Sequence, residues 1–341
     1  MRAFDGHNDV LARLHHADGG NEEFLRGGDG HLDLPGAREG GFAGGMFAVF
    51  PCSPFRGAPD PFSVDYARPV DQPAALADAL AMVDRLGAIE SESGGALQVV
   101  REGDSLDASL SDGSLAAVLH LEGAEAIGEG LEELESLHRA GLRSLGLAWS
   151  RPNAFGHGTP FDFPGSPDRG PGLSDAGRAL VLACNELGVV VDLAHLNERG
   201  FWDVAELSEA PLVASHSNAH ALCPSPRNLT DDQLRAVGES GGVVGINFCV
   251  AFVREDGADD SDTPLSAIAA HAAHVAEVAG PEAVALGSDF DGATMPDELD
   301  GAAKLPALFD ALRAFGFAEP ELERIALGNW RRVLRETWGT E

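Results

Sequence analysis

The sequence predicts an α/β protein: one (β/α)8 TIM barrel with loop insertions, occupying residues 1–341. Three observations carry this. Short runs rich in Val, Leu, Ile and Ala recur eight times along the chain. Several are continuously apolar, as parallel strands covered on both faces must be. Helical patterns separate them, which is the alternation of a barrel. A doubly wound open sheet is the alternative, but no G-x-G-x-x-G turn follows the first run.

The predicted strands, in order, are Arg2–Asp5, Gly44–Phe50, Leu115–Leu121, Ser144–Trp149, Val189–Leu193, Leu212–Ser215, Val243–Phe248 and Val284–Ser288. Among the helices, the spacing of Leu76, Leu80 and Val83 predicts one over Gln72–Gly87. Leu131–Ala140 stops at Gly141, and Asp175–Leu187 runs from a Ser174 cap to Gly188. Thr230-Asp-Asp-Gln233 reads as a capping box opening the next helix. Thr263-Pro264 reads as a cap followed by proline at the first helical position. Lys304–Phe315 and Glu319–Trp338 complete the set. Gly27–Gly45 and Pro51–Pro73 are rich in Gly and Pro and read as loops. Arg254–Asp262, with five acids and one arginine, reads as a solvated surface loop.

Composition excludes several functions. Lys+Arg is 23 against 55 Asp+Glu, a net charge of −32, which repels phosphate backbones and anionic membrane faces. Nucleic acid and membrane are therefore not expected partners. The only lysine is Lys304, so a P-loop, a Schiff base and a carbamylated-lysine metal bridge are all disfavoured. Cys52, Cys184, Cys223 and Cys249 form no C-x-x-C pair and read as reduced thiols. The N-terminus enters a strand pattern without an apolar signal region, and the longest nearly apolar run, Gly241–Val253, contains Asn247 and is too short to span a bilayer. The expectation is a cytoplasmic protein. A homodimer is one assembly the sequence permits.

Reactive groups in a parallel barrel gather where strands end. The first strand leads into Asp5-Gly-His7-Asn-Asp9, and side-chain alternation puts Asp5, His7 and Asp9 on one face. His7 and Asp9 can grip one metal through nitrogen and oxygen. Glu122 ends an apolar strand, where a carboxylate must be solvated, paired or metal-bound. His120 is expected to face away from it. His195 ends Val189–Ala194, His216 ends Leu212–Ser215, and Asp289 ends the eighth strand. Three histidines and three carboxylates at five strand ends suit two Zn²⁺-type ions sharing a bridging carboxylate, with the remaining acid free to move a proton. His271 and His274 read as a packed or surface pair. His15, His16, His31, His157 and His220 read as residues of loops or of an early helix.

The motifs Phe4-Asp-Gly-His-Asn-Asp9, His120-Leu-Glu-Gly123, Val189-Val-Val-Asp-Leu-Ala-His195, Ser215-His-Ser217, Arg227-Asn228, Ile246-Asn-Phe248 and Gly287-Ser-Asp-Phe-Asp-Gly292 occur in this order. In this the chain resembles the renal (membrane) dipeptidases, the M19 metallopeptidases, specifically their soluble bacterial members. The resemblance implies a barrel of the metallo-dependent hydrolase type and a zinc dipeptidase with two Zn²⁺ per chain. His7 and Asp9 would hold one ion, His195 and His216 the other, and Glu122 would bridge. Asp289 would be the proton shuttle, and Arg227 would anchor the substrate's carboxylate, a role that suits a bidentate guanidinium. Dipeptides with a D-residue at the second position are an expected substrate. The alternative is a related binuclear hydrolase of another small carboxylate-bearing amide or lactone. Trp149 stands where the mammalian enzymes have a substrate-binding histidine, and Phe252 where they have a tyrosine. Cys52 matches a disulfide cysteine, but the partner position reads Arg151.

Overall fold

A computed structural model describes residues 1–16, 20–51 and 68–339. Its strands are β1 (Ala3–Asn8), β2 (Phe42–Val49), β3 (Leu97–Val99), β4 (Leu115–Leu121), β5 (Leu142–Gly146), β6 (Val190–Asp192), β7 (Val213–Ala214), β8 (Val243–Ile246) and β9 (Val284–Leu286). All pair in parallel. β2 pairs with both β1 and β4, and β9 with both β8 and β1, so eight strands close into a ring. β3 lies outside that ring. It pairs with the first half of β4 (Leu97 with Leu115), and β5 takes the second half (Leu121 with Leu145).

Each of the eight predicted strands is present, most of them shorter than predicted at the C-terminal end. There the chain leaves the ladder into the loops that carry polar side chains. β3, at three residues, is too short for a periodicity to show in the sequence. Gly27–Gly45, read as a loop, holds the helix Leu34–Gly40 and the start of β2. The Asp33 side chain caps that helix by accepting from Gly36 N, and Gly41 closes it in the left-handed region, so its glycines mark helix ends. Pro51–Pro73 falls largely outside the described residues, and the helix that follows is Gln72–Glu92. The Thr263-Pro264 signal is displaced by one residue, with Pro264 at the cap of helix Leu265–Ala279. The C-terminal helix runs through a π turn at Arg324–Gly328, so Glu319–Trp338 is one interrupted segment.

That segment positions the site from below. Trp330, Val333 and Leu334 are fully buried in one cluster with the inward residues Phe4, Val118, Val190, Val213, Val243 and Ala285. The Trp330 indole N–H donates to Leu286 O at 2.8 Å. A Cβ at Gly6 would come within 2.5 Å of the same ring. The indole therefore underlies the stretch of β1 that leads to His7. Trp330→Ala should cost about 3–5 kcal/mol, the range for truncating a buried aromatic side chain. Chemical denaturation followed by tryptophan-independent far-UV circular dichroism measures this, and a loss below 1 kcal/mol contradicts the plug.

Candidate metal centre

The chain brings His7, Asp9, Glu122, His195, His216 and Asp289 together, all buried. Three overlapping donor sets form: His7–Asp9–Glu122, Glu122–His195–His216 and His7–His216–Asp289. Within each, the ligand atoms lie within 4.8 Å of one another. His7 Nε2 lies 3.1 Å from Asp9 Oδ2 and 3.7 Å from Glu122 Oε2. The other oxygen, Glu122 Oε1, lies 3.0 Å from His195 Nε2 and 3.7 Å from His216 Nε2. One carboxylate thus faces two nitrogen groups with its two oxygens. Asp289 Oδ2 accepts from Asn247 Nδ2 at 2.9 Å.

The donors fit a cation, because burial still opposes the charge of Glu122 and Asp289 with His7 and Arg227 close by. The Nε2 atoms of His195 and His216 face each other at 3.0 Å. Burial pulls both imidazoles well below their ordinary pKa, so both are neutral. The single hydroxyl proton of Ser215 is committed to Asp192 Oδ2 at 2.5 Å, an atom that only accepts. Ser215 Oγ therefore accepts from His216 Nδ1 at 2.7 Å, which leaves a lone pair on Nε2 aimed at the cluster. Ser150 Oγ engages His195 Nδ1 at 2.8 Å. Burial opposes charge on His7, but the Glu122 and Asp9 carboxylates outweigh it and push this histidine up to about 10. Burial also pushes Glu122 up to about 8, with Asp9 and Asp289 adding to the rise. A site that raises the proton affinity of a carboxylate and a histidine together is short of positive charge, and imidazole with carboxylate is the donor set of zinc-type ions.

Two segments at the site are strained. His195 and Asp289 have φ of 67° and 64°, in the left-handed region that non-glycine residues rarely occupy. The backbone at Ser215 is also unusual, since its carbonyl projects into the barrel interior. A Cβ on Gly6, Gly245 or Gly287 would come within 2.1, 1.9 or 2.0 Å of that oxygen. These glycines make room for the peptide that carries His216.

Arg227 is buried beside this cluster. Its Nη2 donates to His216 O at 3.2 Å, and its Nε has no hydrogen-bond partner among the described residues. The ring of Phe252 lies 5.4 Å from its Cζ and stacks on Phe161. Trp149 is buried, with its ring 5.7 Å from that of His195 and against Phe50 and Phe161. Arg151 forms a buried ion pair with Glu125 at 2.6 Å and donates to Pro51 O at 2.7 Å, while Cys52 lies outside the described residues.

One expectation needs correction. His120 does not face away from Glu122. Residues two apart on a strand share a face, and His120 is fully buried inside the barrel with its ring 5.6 Å from that of His7. Its Nδ1 meets Ser144 Oγ at 2.9 Å, and its Nε2 lies 3.6 Å from Asp192 Oδ2. His31 lies in a loop, as expected, and its ring and its amide both bond Asp291. His271 is a packed residue between Ala219 N and Val253 O, as expected, and His274 pairs with Asp231. Sequence reasoning gave Asp192 no role, although an acid in phase with the inward Val190 is a detectable signal.

The fold and donor set define a metallo-dependent hydrolase barrel. The chain belongs to peptidase family M19, the membrane dipeptidases, whose family model matches residues 1–340. A metallo peptidase from Rhodobacter sphaeroides, solved with a phosphinate mimic of the dipeptide L-Ala-D-Ala, is 45% identical. The match covers 99% of each chain at a TM-score of 0.94. The M19 metallo peptidase called dipeptidase AC is 47% identical over 100% of this chain and 99% of that one, with a TM-score of 0.95. An uncharacterized protein encoded in the pqqA 5′ region of Klebsiella pneumoniae is 49% identical over 249 residues, 73% of this chain and 92% of its own. The protein is thus a metallopeptidase of a dipeptidase family. Among the described residues no helix is long and apolar enough to cross a membrane.

The Asp192–Ser215–His216 chain generates a prediction. Ser215→Ala removes the acceptor that fixes the His216 tautomer, and metal affinity should fall roughly 10–100-fold, as for other ligand-orienting partners. Competitive titration with a chelating dye measures it. Unchanged affinity contradicts the role given to Ser215.

Proposed function

We propose that the protein is a binuclear zinc dipeptidase acting on small dipeptides, including those with a D-residue at the second position. One observation carries this: two donor triplets share Glu122, and beside them stands a buried arginine whose Nε has no hydrogen-bond partner among the described residues. When loaded, His7 and Asp9 would hold one ion and His195 and His216 the other, with Glu122 common to both sets. When bound, the ions supply polarisation of the scissile carbonyl and acidification of a water. Arg227 pairs with the substrate's terminal carboxylate and sets the scissile bond over the cluster. Trp149 and Phe252 line the same space and give it an apolar wall. Asp289 takes the proton released by the attacking water and passes it to the leaving amine nitrogen. Asn247 Nδ2 donates to its Oδ2 at 2.9 Å and orients the carboxylate for this transfer. The D-residue reading is supported by the relative solved with the L-Ala-D-Ala mimic.

Asp289 also belongs to the His7–His216–Asp289 donor set, so its role can be separated by experiment. Loaded protein should carry two zinc ions per chain. Asp289→Asn keeps the shape but removes the base, so kcat on a dipeptide should fall by roughly 10²–10⁴ while metal content stays at two. Elemental analysis alongside kinetics decides: zinc lost in proportion to activity makes Asp289 a metal ligand.

Arg227 is tested by substrate. Arg227→Ala should lose about 2–4 kcal/mol in kcat/KM on free dipeptides, the range for removing one partner of a charge-assisted pair. Dipeptide amides should be poor for the natural enzyme and lose little more in the variant. Equal use of free and amidated dipeptides overturns the anchor.

A further inference from the structure

We infer that Arg13, His31 and Asp291 are positioning residues that hold the turn carrying Asp289 against the helix that follows Asp9. The inference rests on the proton-carrying role proposed for Asp289. The turn is tight. Gly292 N donates to Asp289 O at 3.1 Å, and both Asp289 and Asp291 have left-handed backbone, with φ of 64° and 69°. A Cβ at Gly292 would meet Asp9 Oδ2 at 2.1 Å and Asp289 Oδ1 at 2.7 Å, so both carboxylates crowd the same glycine. Two left-handed aspartates in one turn are strained, and something must hold them.

The hold comes from outside the donor set. Asp291 Oδ1 accepts from His31 N at 2.7 Å, and His31 Nδ1 accepts from Asp291 N at 2.9 Å, a two-point clasp between positions 260 residues apart. Asp291 Oδ2 lies 3.1 Å from Arg13 Nε, with the carboxylate almost fully shielded from solvent. Arg13 N in turn donates to Asp9 O at 2.9 Å, and Arg13 Nη1 reaches Glu23 at 3.3 Å. His31 is fixed in its own place because its carbonyl accepts from Ala302 N at 2.8 Å. One side chain, Asp291, thus links the segment beginning at Asp9 with the turn bearing Asp289. None of the three residues belongs to a donor set. They act on where Asp289 sits.

The clasp makes a specific demand on position 31: an acceptor one bond beyond Cγ. Asparagine supplies one, because its Oδ1 occupies the place of the histidine Nδ1, and alanine does not. His31→Ala should lower kcat about 10–100-fold, the scale of a misplaced reacting group, with KM and metal content unchanged. His31→Asn should restore kcat to within about threefold of the natural enzyme. A second readout does not depend on activity. In metal-free protein, hydrogen exchange at the Asp291 amide should quicken about tenfold or more in His31→Ala and stay near the natural rate in His31→Asn. Should His31→Ala fail to fold, Arg13→Met removes the guanidinium's contacts with Asp291, Glu23 and Leu32 O while leaving the two clasp bonds between His31 and Asp291, and is expected to lower kcat in the same way. Natural kcat and exchange in His31→Ala, or equal losses in the alanine and asparagine variants, overturn the inference. If Asp289→Asn keeps full activity while the exchange pattern holds, the proton role of Asp289 has failed and the clasp has not.

Discussion

Glu122 leaves an apolar strand with its carboxylate inside the barrel, where little water can solvate it, and the mouth of the barrel is arranged around that charge. Asp9 and Asp289 add two more buried carboxylates nearby, which makes the problem worse. Burial and mutual repulsion raise the proton affinity of Glu122, and the carboxylates drag that of His7 upward with them. His195 and His216 respond in the opposite sense and stay neutral, because burial dominates there and Arg227 lies close. The result is two neutral imidazoles, His195 and His216, at one oxygen of Glu122 and His7 with Asp9 at the other. Cations resolve both at once, in a way that a further side chain cannot.

Holding such a cluster requires a scaffold that tolerates little motion. The carbonyl of Ser215 fills the barrel interior between Gly6, Gly245 and Gly287, so the peptide before His216 is enclosed by the backbones of β1, β8 and the segment after β9. Asp192 then fixes the same residue from the β6 side, accepting from Ser215 N at 2.7 Å as well as from its hydroxyl. Asp5 does the same for the chain before Asp289, accepting from Ser288 N at 2.6 Å and Ser288 Oγ at 2.9 Å. Burial pushes Asp5 up to about 7 despite those bonds. The two acids lie one layer beneath the donors and hold serines that hold the site.

The barrel was legible in the sequence because its strands are buried on both faces and stand out as apolar runs. The donors were legible because period-two alternation and strand ends place His7, Asp9 and Glu122 where a barrel gathers its chemistry. His120 shows the limit of applying that rule by eye, since the same alternation puts it beside Glu122. What could not be read was long-range pairing. No local pattern links His31 to Asp291, or tells that Ser215 spends its proton on Asp192. The helix at Leu34–Gly40 was hidden for a different reason: its glycines and proline are the caps and first turn of a helix, and composition alone cannot tell these from a loop.

Arg151 shows how charge takes over where the resemblance led one to look for a covalent link. Its guanidinium is wholly buried, paired with Glu125, and bonded to the carbonyl of Pro51. Its Cζ lies 5.2 Å from the ring of Phe50 and 5.2 Å from that of Trp149. One cation therefore holds the end of β2, the short helix turn after β4 and the aromatic wall after β5. A buried pair of this kind adds little net stability but is costly to break, because the remaining charge is stranded in a dry interior. Its value here is geometric. It fixes the rim on which Trp149 stands, and with it the wall that borders His195, by a contact that thiol chemistry does not touch.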